Sequence, residues 1–463
     1  MTAELRSQLP IRRWSSLSAQ ERYTALRRPA QRNTQALHEQ VREIIQEVRS
    51  RGDHALVDYA RRFDGVELTT LEVTPAEFAA AQTSLDAVQR QALERAIANV
   101  RRFHEAQRAE PIRLEISPGV TCEREFRPID AVGLYVPAGV APLPSTAIML
   151  AVPALIAGCP TRIICTPPRK DGSADPAVLT VARLCGIERV FKLGGAQAIA
   201  AMAYGTASVP KVDKVYGPGN AWVTAAKLLV ANDPDGAALD LPAGPSEVLV
   251  IADEQAHPEF VAADLLAQTE HSADAQSVLV TTSMALAQAT LEQLAAQMPR
   301  LERERTLREA IQNTRLFLVD SLQDAFDLSN TYAPEHLIIQ IAAARAWVPQ
   351  VRNAGSVFLG AWTPETMGDY CSGTNHVLPT YGFARAYSGL GLGDFLKRIT
   401  IQELTADGLR DLGPTALTIA HMEGLGAHAN AVQVRLAYLA TVLPDGVRAA
   451  ARPDTPLRGS EGA

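Results

Sequence analysis

Nine histidines are scattered along the chain, and several of them sit beside acids or amides at spacings that could do chemistry. Gln268 and His271, in "DLLAQTEH", are three residues apart and share a face if that stretch is helical. Imidazole is a common zinc ligand and an amide oxygen a rarer one, so this pair could hold a metal or could simply end a helix. Glu335 and His336 are adjacent in "YAPEHLIIQ", just before an apolar run that reads as a strand. An acid beside an imidazole offers two bases for two proton transfers, or a loop ion pair. The loop "MGDYCSGTNHVLP" (367–379) gathers Asp369, Cys371, Thr374, Asn375 and His376, with Asp369 a candidate metal carboxylate. Cys371 could attack an aldehyde as a thiolate, but no partner His or Asn order accompanies it and packing serves as well. "MEGLGAHANA" adds Glu423 and His428, with His421 nearby. His38, His54, His104 and His257 lie in polar contexts and read as surface residues. Ser246, in "LPAGPSEVLVIAD", follows a rigid Pro/Gly loop; without G-x-S-x-G around it, it reads as a hydroxyl donor rather than a nucleophile.

Two glycine turns end strand-like runs: "LGGAQA" (193–198) and "YGPGNAW" (216–222), each followed by an amide side chain, Gln197 and Asn220. Small residues and free N–H groups at a helix start suit a phosphate or dinucleotide, although a plain turn needs the same glycines. No G-x-G-x-x-G follows a strand, and neither a P-loop nor H-E-x-x-H is present.

These groups need a scaffold to bring them together. Val41, Ile44, Ile45 and Val48 recur at helical spacing within 34–64, and a second helix pair covers about 75–108. From "VGLYVPAGV" to "KVDKVYGPGN" strands and helices alternate. "SEVLVIAD", "SVLVTTS", "RLFLVD", "HLIIQI" and "AGSVFLG" continue the pattern through 247–360. Such alternation predicts an α/β fold with parallel sheets covered on both faces. The expected organisation is an N-terminal arm (1–32), a first α/β domain (33–134 with 247–385), a second (135–246) and a mainly helical tail (386–463). In the arm, Ser18 followed by Glu21 predicts a capped helix. The tail has no sheet texture and little to bury by itself, which suits an arm exchanged in a dimer. The last dozen residues read as disordered.

Composition narrows the class. Hydrophobic residues are 47%, charged residues 21%, and the formal charge is −7, which argues against a nucleic-acid partner. The longest apolar run, Ala147 to Cys159, is too short to cross a bilayer. Five cysteines without C-x-x-C exclude a disulfide framework and fit a reducing, cytoplasmic setting. Residues 1–32 carry seven Arg and two Glu but no apolar signal core, so they read as a structural arm rather than a targeting segment. From the residues alone, an oxidoreductase and a zinc hydrolase remain open.

Nine segments occur in order: "GLYVPAG", "GGAQAIAAMAYGT", "VDKVYGPGNAWVTAAK", "LDLPAGPSEVLVIAD", "AQTEH", "YAPEHLII", "AGSVFLG", "GDYCSGTNHVLPT" and "HANAV". In these the chain, over about residues 9–440, closely resembles the histidinol dehydrogenase family. That resemblance implies two incomplete Rossmann-like units and a homodimer in which the tail crosses to the other subunit. It implies oxidation of L-histidinol to L-histidine by two NAD⁺, through L-histidinal, with one Zn²⁺ per subunit. Gln268, His271 and Asp369 would bind zinc, with His428 of the partner subunit completing the set. Ser246, His376 and Glu423 would contact the substrate alongside His336 and the metal ligands. Tyr135, Gln197 and Asn220 would contact NAD⁺, and Glu335 and His336 would be the catalytic bases. Within the resemblance Cys371 has only a packing role. A sister dehydrogenase of another polar alcohol, such as a sulfonated diol, would share the scaffold, but Glu423, His428 and His376 suit an imidazole-and-amine substrate.

Overall fold

The computed structural model describes residues 7–29, 34–138, 142–242 and 244–442. It divides into two compact units, Met1–Arg108 with Pro128–Lys397, and Ala109–Arg127 with Arg398–Ala463.

The larger unit is built on two wholly parallel sheets. One runs Arg189–Lys192, Thr161–Thr166, Ala131–Tyr135, Lys214–Tyr216, Ala238–Leu239. The other runs Ile11–Arg13, Arg315–Leu318, Gln276–Thr281, Glu247–Ala252, His336–Gln340, Ser356–Leu359. Leave aside the edge strand Ile11–Arg13, and each sheet has five strands. Numbered in chain order, both read 3-2-1-4-5. Every residue of Glu247–Ala252 and of His336–Gln340 is buried, as expected of parallel strands covered on both faces. The expected strands are all present.

Three helix starts follow directly from sequence. Ser18 and Glu21, Thr74 and Glu77, and Asp86 and Gln89 each form a reciprocal capping box. The apolar run at 147–159 lies mostly within helix Pro144–Ala157, whose side chains are buried nearly all round inside the protein. Among the described residues no helix is long and apolar enough to cross a membrane.

The expected domain boundaries differ from the packing in several places, among them the tail start expected at 386, since residues up to Lys397 belong to the larger unit. Val41, Ile44, Val48 and Tyr59 share a core with Tyr135, Phe191 and Ala198. Ile97 and Val100 share another with Ile148 and Leu150. The helices of 34–106 therefore cover the 131–239 sheet, rather than joining 247–385 as expected. An amphipathic pattern marks an apolar face without saying which sheet receives it. The boundary expected at 134/135 falls inside the strand Ala131–Tyr135. The N-terminal arm, for its part, adds strand Ile11–Arg13 to the 247–359 sheet.

The smaller unit pairs antiparallel strands Ile112–Ser117 and Val120–Pro128 with strand Leu396–Leu404. Helices Ala406–Met422 and Gly426–Val442 follow. Residues 109–127 thus belong with the tail, a partnership made by long-range strand pairing that local pattern does not reveal. Its apolar side chains are widely exposed, Met422 at 81% and Tyr438 at 64%. The tail segment expected to be disordered lies outside the described residues.

Candidate active site

Glu247 and His336 open adjacent strands of the 247–359 sheet, with His336 in register with Val248. The backbone of Glu247 serves both expected bases. Its N–H donates to Glu335 Oε2 at 2.8 Å, and its C=O lies 3.0 Å from His336 Nδ1. A carbonyl only accepts, so Nδ1 carries a proton, and in the neutral ring it is Nε2 that keeps the lone pair. Nε2 is buried without a hydrogen-bond partner, 3.5 Å from Asp369 Oδ1.

The strand Glu247–Ala252 is followed by helix Pro258–Thr269, which returns Gln268 to the same end of the sheet. The helix stops at Thr269, so His271 stands just beyond it, its N–H donating to Gln268 O at 3.2 Å. Hydrogen bonding orients the Gln268 amide with its nitrogen 2.9 Å from Glu365 Oε2 and its oxygen 3.2 Å from the Glu247 N–H. The short helix Glu365–Tyr370 carries Glu365 and Asp369 one turn apart. Donor atoms of His271, Glu365 and Asp369 lie within 4.8 Å of one another. His376 Nδ1 donates to Asp369 O at 2.8 Å, and its Nε2 is 3.3 Å from Thr146 Oγ1. Ser246 Oγ is 3.4 Å from His271 Nδ1. The loop carrying His376 is pinned from behind: Asn375 donates to Met149 O at 2.7 Å and Asn99 to Cys371 O at 2.8 Å.

Three carboxyl groups crowd the buried His336. Burial pushes Glu335 up to about 8, against the pull of His336. Burial also raises Glu365, well above the usual carboxylate range. For His336, burial favours the neutral ring, but Glu365, Glu335 and Asp369 outweigh it and hold its proton well above the ordinary imidazole value. Burial keeps His376 below that value. One imidazole, an amide and clustered carboxylates around an unpartnered ring nitrogen form a donor set that fits a divalent cation such as zinc. A cation there would also offset the crowded negative charge.

A second site opens at the carboxyl ends of the other sheet. A cavity of about 980 Å³ is lined by Tyr135, Gly194, Gly195, Gln197, Asn220 and Trp222, among others. All three expected cofactor contacts therefore face one space. Tyr135 is buried, and its phenol oxygen accepts the Gly195 N–H at 3.0 Å; burial pushes this phenol up to about 12. Gly217 has φ +123°, and a Cβ there would come 2.1 Å from Tyr135 O, so only glycine permits this close approach. The Asn220 side chain caps helix Ala221–Ala231, accepting from Trp222 N at 3.1 Å and Val223 N at 3.2 Å.

The larger unit thus gathers Gln268, His271, Asp369, His376, Ser246, Glu335 and His336. Glu423 and His428 lie in the smaller unit and are exposed. Sequence reasoning missed Glu365 and Glu247. The i, i+4 spacing of Glu365 and Asp369 could have revealed the first; nothing local marks the second, whose contribution is largely backbone. His104, expected on the surface, is fully buried: its Nδ1 is 2.8 Å from Val100 O, and its Nε2 is 3.4 Å from Asn375 Nδ2. Cys371 is half-buried and packs against the core, as the resemblance implied.

The parallel sheets present a turn-lined cavity at one place and a His–carboxylate cluster at another. The model of the family "Histidinol dehydrogenase" matches residues 26–436. A histidinol dehydrogenase of Xanthomonas campestris pv. campestris is 55% identical over 427 residues, covering 92% of this chain and 99% of that protein. One from Xylella fastidiosa is 54% identical over 423 residues, covering 91% and 98%. The crystal structure of histidinol dehydrogenase from Elizabethkingia anophelis superposes with TM-score 0.88 at 44% identity, over 91% of this chain and 97% of that one. The chain belongs to the histidinol dehydrogenase family, oxidoreductases of histidine biosynthesis.

Proposed function

We propose that this chain oxidises L-histidinol to L-histidine through bound L-histidinal, consuming two NAD⁺ at a zinc-dependent site. The observation that carries the reading is the pair Glu335 and His336, both held on the Glu247 backbone beside the metal-fitting cluster. Gln268, His271 and Asp369 would hold the zinc, with His428 of the partner subunit as the fourth ligand. When bound, zinc supplies an anchor for the imidazole and amine of histidinol, and NAD⁺ supplies the hydride acceptor.

The residues then have distinct tasks. The free Nε2 of His336 accepts the hydroxyl proton of histidinol, while the Nδ1–H bond to Glu247 fixes the tautomer. Glu335 accepts a proton from the water that hydrates the aldehyde. As water adds, His336 returns its first proton to the aldehyde oxygen, and the neutral ring then accepts the hydroxyl proton of the hydrate in the second oxidation. Ser246, His376 and Glu423 would orient the substrate, and such positioning is a large part of the rate gain. Tyr135, Gln197 and Asn220 would hold NAD⁺ in the cavity at the carboxyl ends. His336 must be neutral to act, so activity rises as pH removes the proton that the surrounding carboxylates favour.

The shared 3-2-1-4-5 order supports reading the sheets as two incomplete Rossmann-like units. The exposed apolar side chains of the tail support a homodimer with an exchanged arm. A cytoplasmic enzyme fits the free cysteines. The test is the NADH formed per histidinol consumed, with and without a chelator. Two NADH per histidinol, lost on chelation and restored by zinc, would support the reading. One NADH with released aldehyde, or NADH only from another alcohol, would overturn it.

A further inference from the structure

Glu247 does more than lend its backbone. Its carboxylate is almost wholly buried, and its only cationic partner among the described residues is Arg28, from the N-terminal arm. Arg28 binds it as a fork: Nε meets Oε1, and Nη2 meets Oε2 at 2.8 Å. The same Nη2 donates to Tyr332 O at 2.8 Å and Ala333 O at 3.3 Å, and the guanidinium lies 4.0 Å over the Tyr332 ring. Glu247 Oε1 also accepts the Tyr381 N–H at 2.8 Å, and the Tyr381 hydroxyl donates to Pro29 O at 2.7 Å. Residues 28–29 therefore tie together three segments. One is the start of strand Glu247–Ala252; the second is the turn two residues before Glu335; the third is the chain five residues beyond His376.

Two of these ties fall on strained backbone. Ala333 and Tyr381 have φ of 55° and 57°, a left-handed conformation uncommon without glycine, so their surroundings must hold them there. Arg28 binds the carbonyl of the first directly. Through Glu247 it fixes the amide of the second.

We infer that Arg28 is a positioning residue for catalysis: it holds Glu247, and through it the geometry of Glu335 and His336. This rests on the proposed roles of those two bases. Lysine could not replace it, because a single ammonium cannot make the planar fork and stack at once.

Replacing Arg28 alone orphans a buried carboxylate and endangers folding. The paired variant R28A/E247Q removes both charges and keeps an acceptor for Tyr381. It is compared with wild type for Tm, zinc content, KM and kcat, using histidinol and supplied histidinal. A positioning role predicts near-wild-type Tm, zinc content and KM, with kcat about tenfold lower or more for both substrates. Wild-type kcat in the pair would overturn the inference, as would a loss confined to KM. An inactive wild-type protein would instead overturn the functional reading on which it rests.

Discussion

In the sheet of residues 131–239, the strands Ala131–Tyr135 and Lys214–Tyr216 part at their carboxyl ends, and the cavity opens there. In the sheet of residues 247–359, the equivalent strands are Glu247–Ala252 and His336–Gln340, and the polar cluster gathers at their amino ends. These pairs are the first and fourth strands of sheets with the same order, where the direction of winding reverses. A cavity at the carboxyl ends of the first sheet accords with where such sheets usually take ligands; the polar cluster of the second lies at the opposite end. Part of the reason is visible in what closes its carboxyl end. There Asp253 Oδ2 accepts the Ala342 N–H at 2.7 Å, and the Asp253 N–H donates to Gln340 O at 3.4 Å. Strand order creates a crevice at the switch point, while the loops decide which end is filled. The amino end, however, brings both proposed bases to one residue: the Glu247 N–H donates to Glu335, and its C=O lies 3.0 Å from His336 Nδ1.

If the amino end is the chemical one, His336→Ala should lower kcat for histidinol and for histidinal by about 10²- to 10⁴-fold and leave the KM for NAD⁺ unchanged. Steady-state kinetics with both substrates would show this; a parallel loss of NAD⁺ affinity would break the division between the ends. Glu335→Gln should slow oxidation of supplied histidinal by about 10²-fold while sparing the first oxidation. Burial pushes Glu335 up to about 8, and a base must be ionised. The wild-type histidinal rate should therefore climb with pH through that value, and the variant should lose the part of the rise that Glu335 contributes, keeping only that of His336. At the other sheet, Gln197→Ala should raise the KM for NAD⁺ about tenfold, equivalent to ~1.4 kcal/mol, with kcat at saturation little changed. A fall in kcat instead would place Gln197 in the chemistry.

The smallest effect is expected from Asp264, which bonds Gln340 at the closed carboxyl end, Gln340 Nε2 donating at 2.8 Å. Burial raises Asp264 to about 7. Its folded value exceeds the ordinary one, so its stabilising contribution is complete below about 4 and is lost as pH rises through about 7. Asp264→Asn keeps the acceptor and can donate to Gln340 Oε1, which has no partner. Its Tm should exceed wild type by about 2 °C at pH 8, the gain shrinking towards pH 5, with kcat unaltered.

Much of this arrangement was legible in sequence, because buried parallel strands announce themselves as apolar runs and capped helices carry their signals locally. The gathering of Gln268, His271, Asp369, Glu335 and His336 followed from motif resemblance. Three things were not legible, and each depends on contacts far apart in the chain. The face of Val41 and Ile44 shows that a helix docks, not that it docks beside Phe191. Residues 109–127 join the tail only through pairing between strands Val120–Pro128 and Leu396–Leu404. His104 looked polar in context, but its burial depends on Asn375 reaching it from another loop.

The most direct test of the two-ended layout is a crystal structure of zinc-loaded protein with histidinol and NAD⁺, with data collected at the zinc absorption edge. The account predicts one anomalous peak per subunit against His271, Asp369 and Gln268, histidinol beside His336, and the dinucleotide in the cavity of Tyr135, Gln197 and Asn220. Zinc at another location, or histidinol bound at the carboxyl end of the 247–359 sheet, would contradict it.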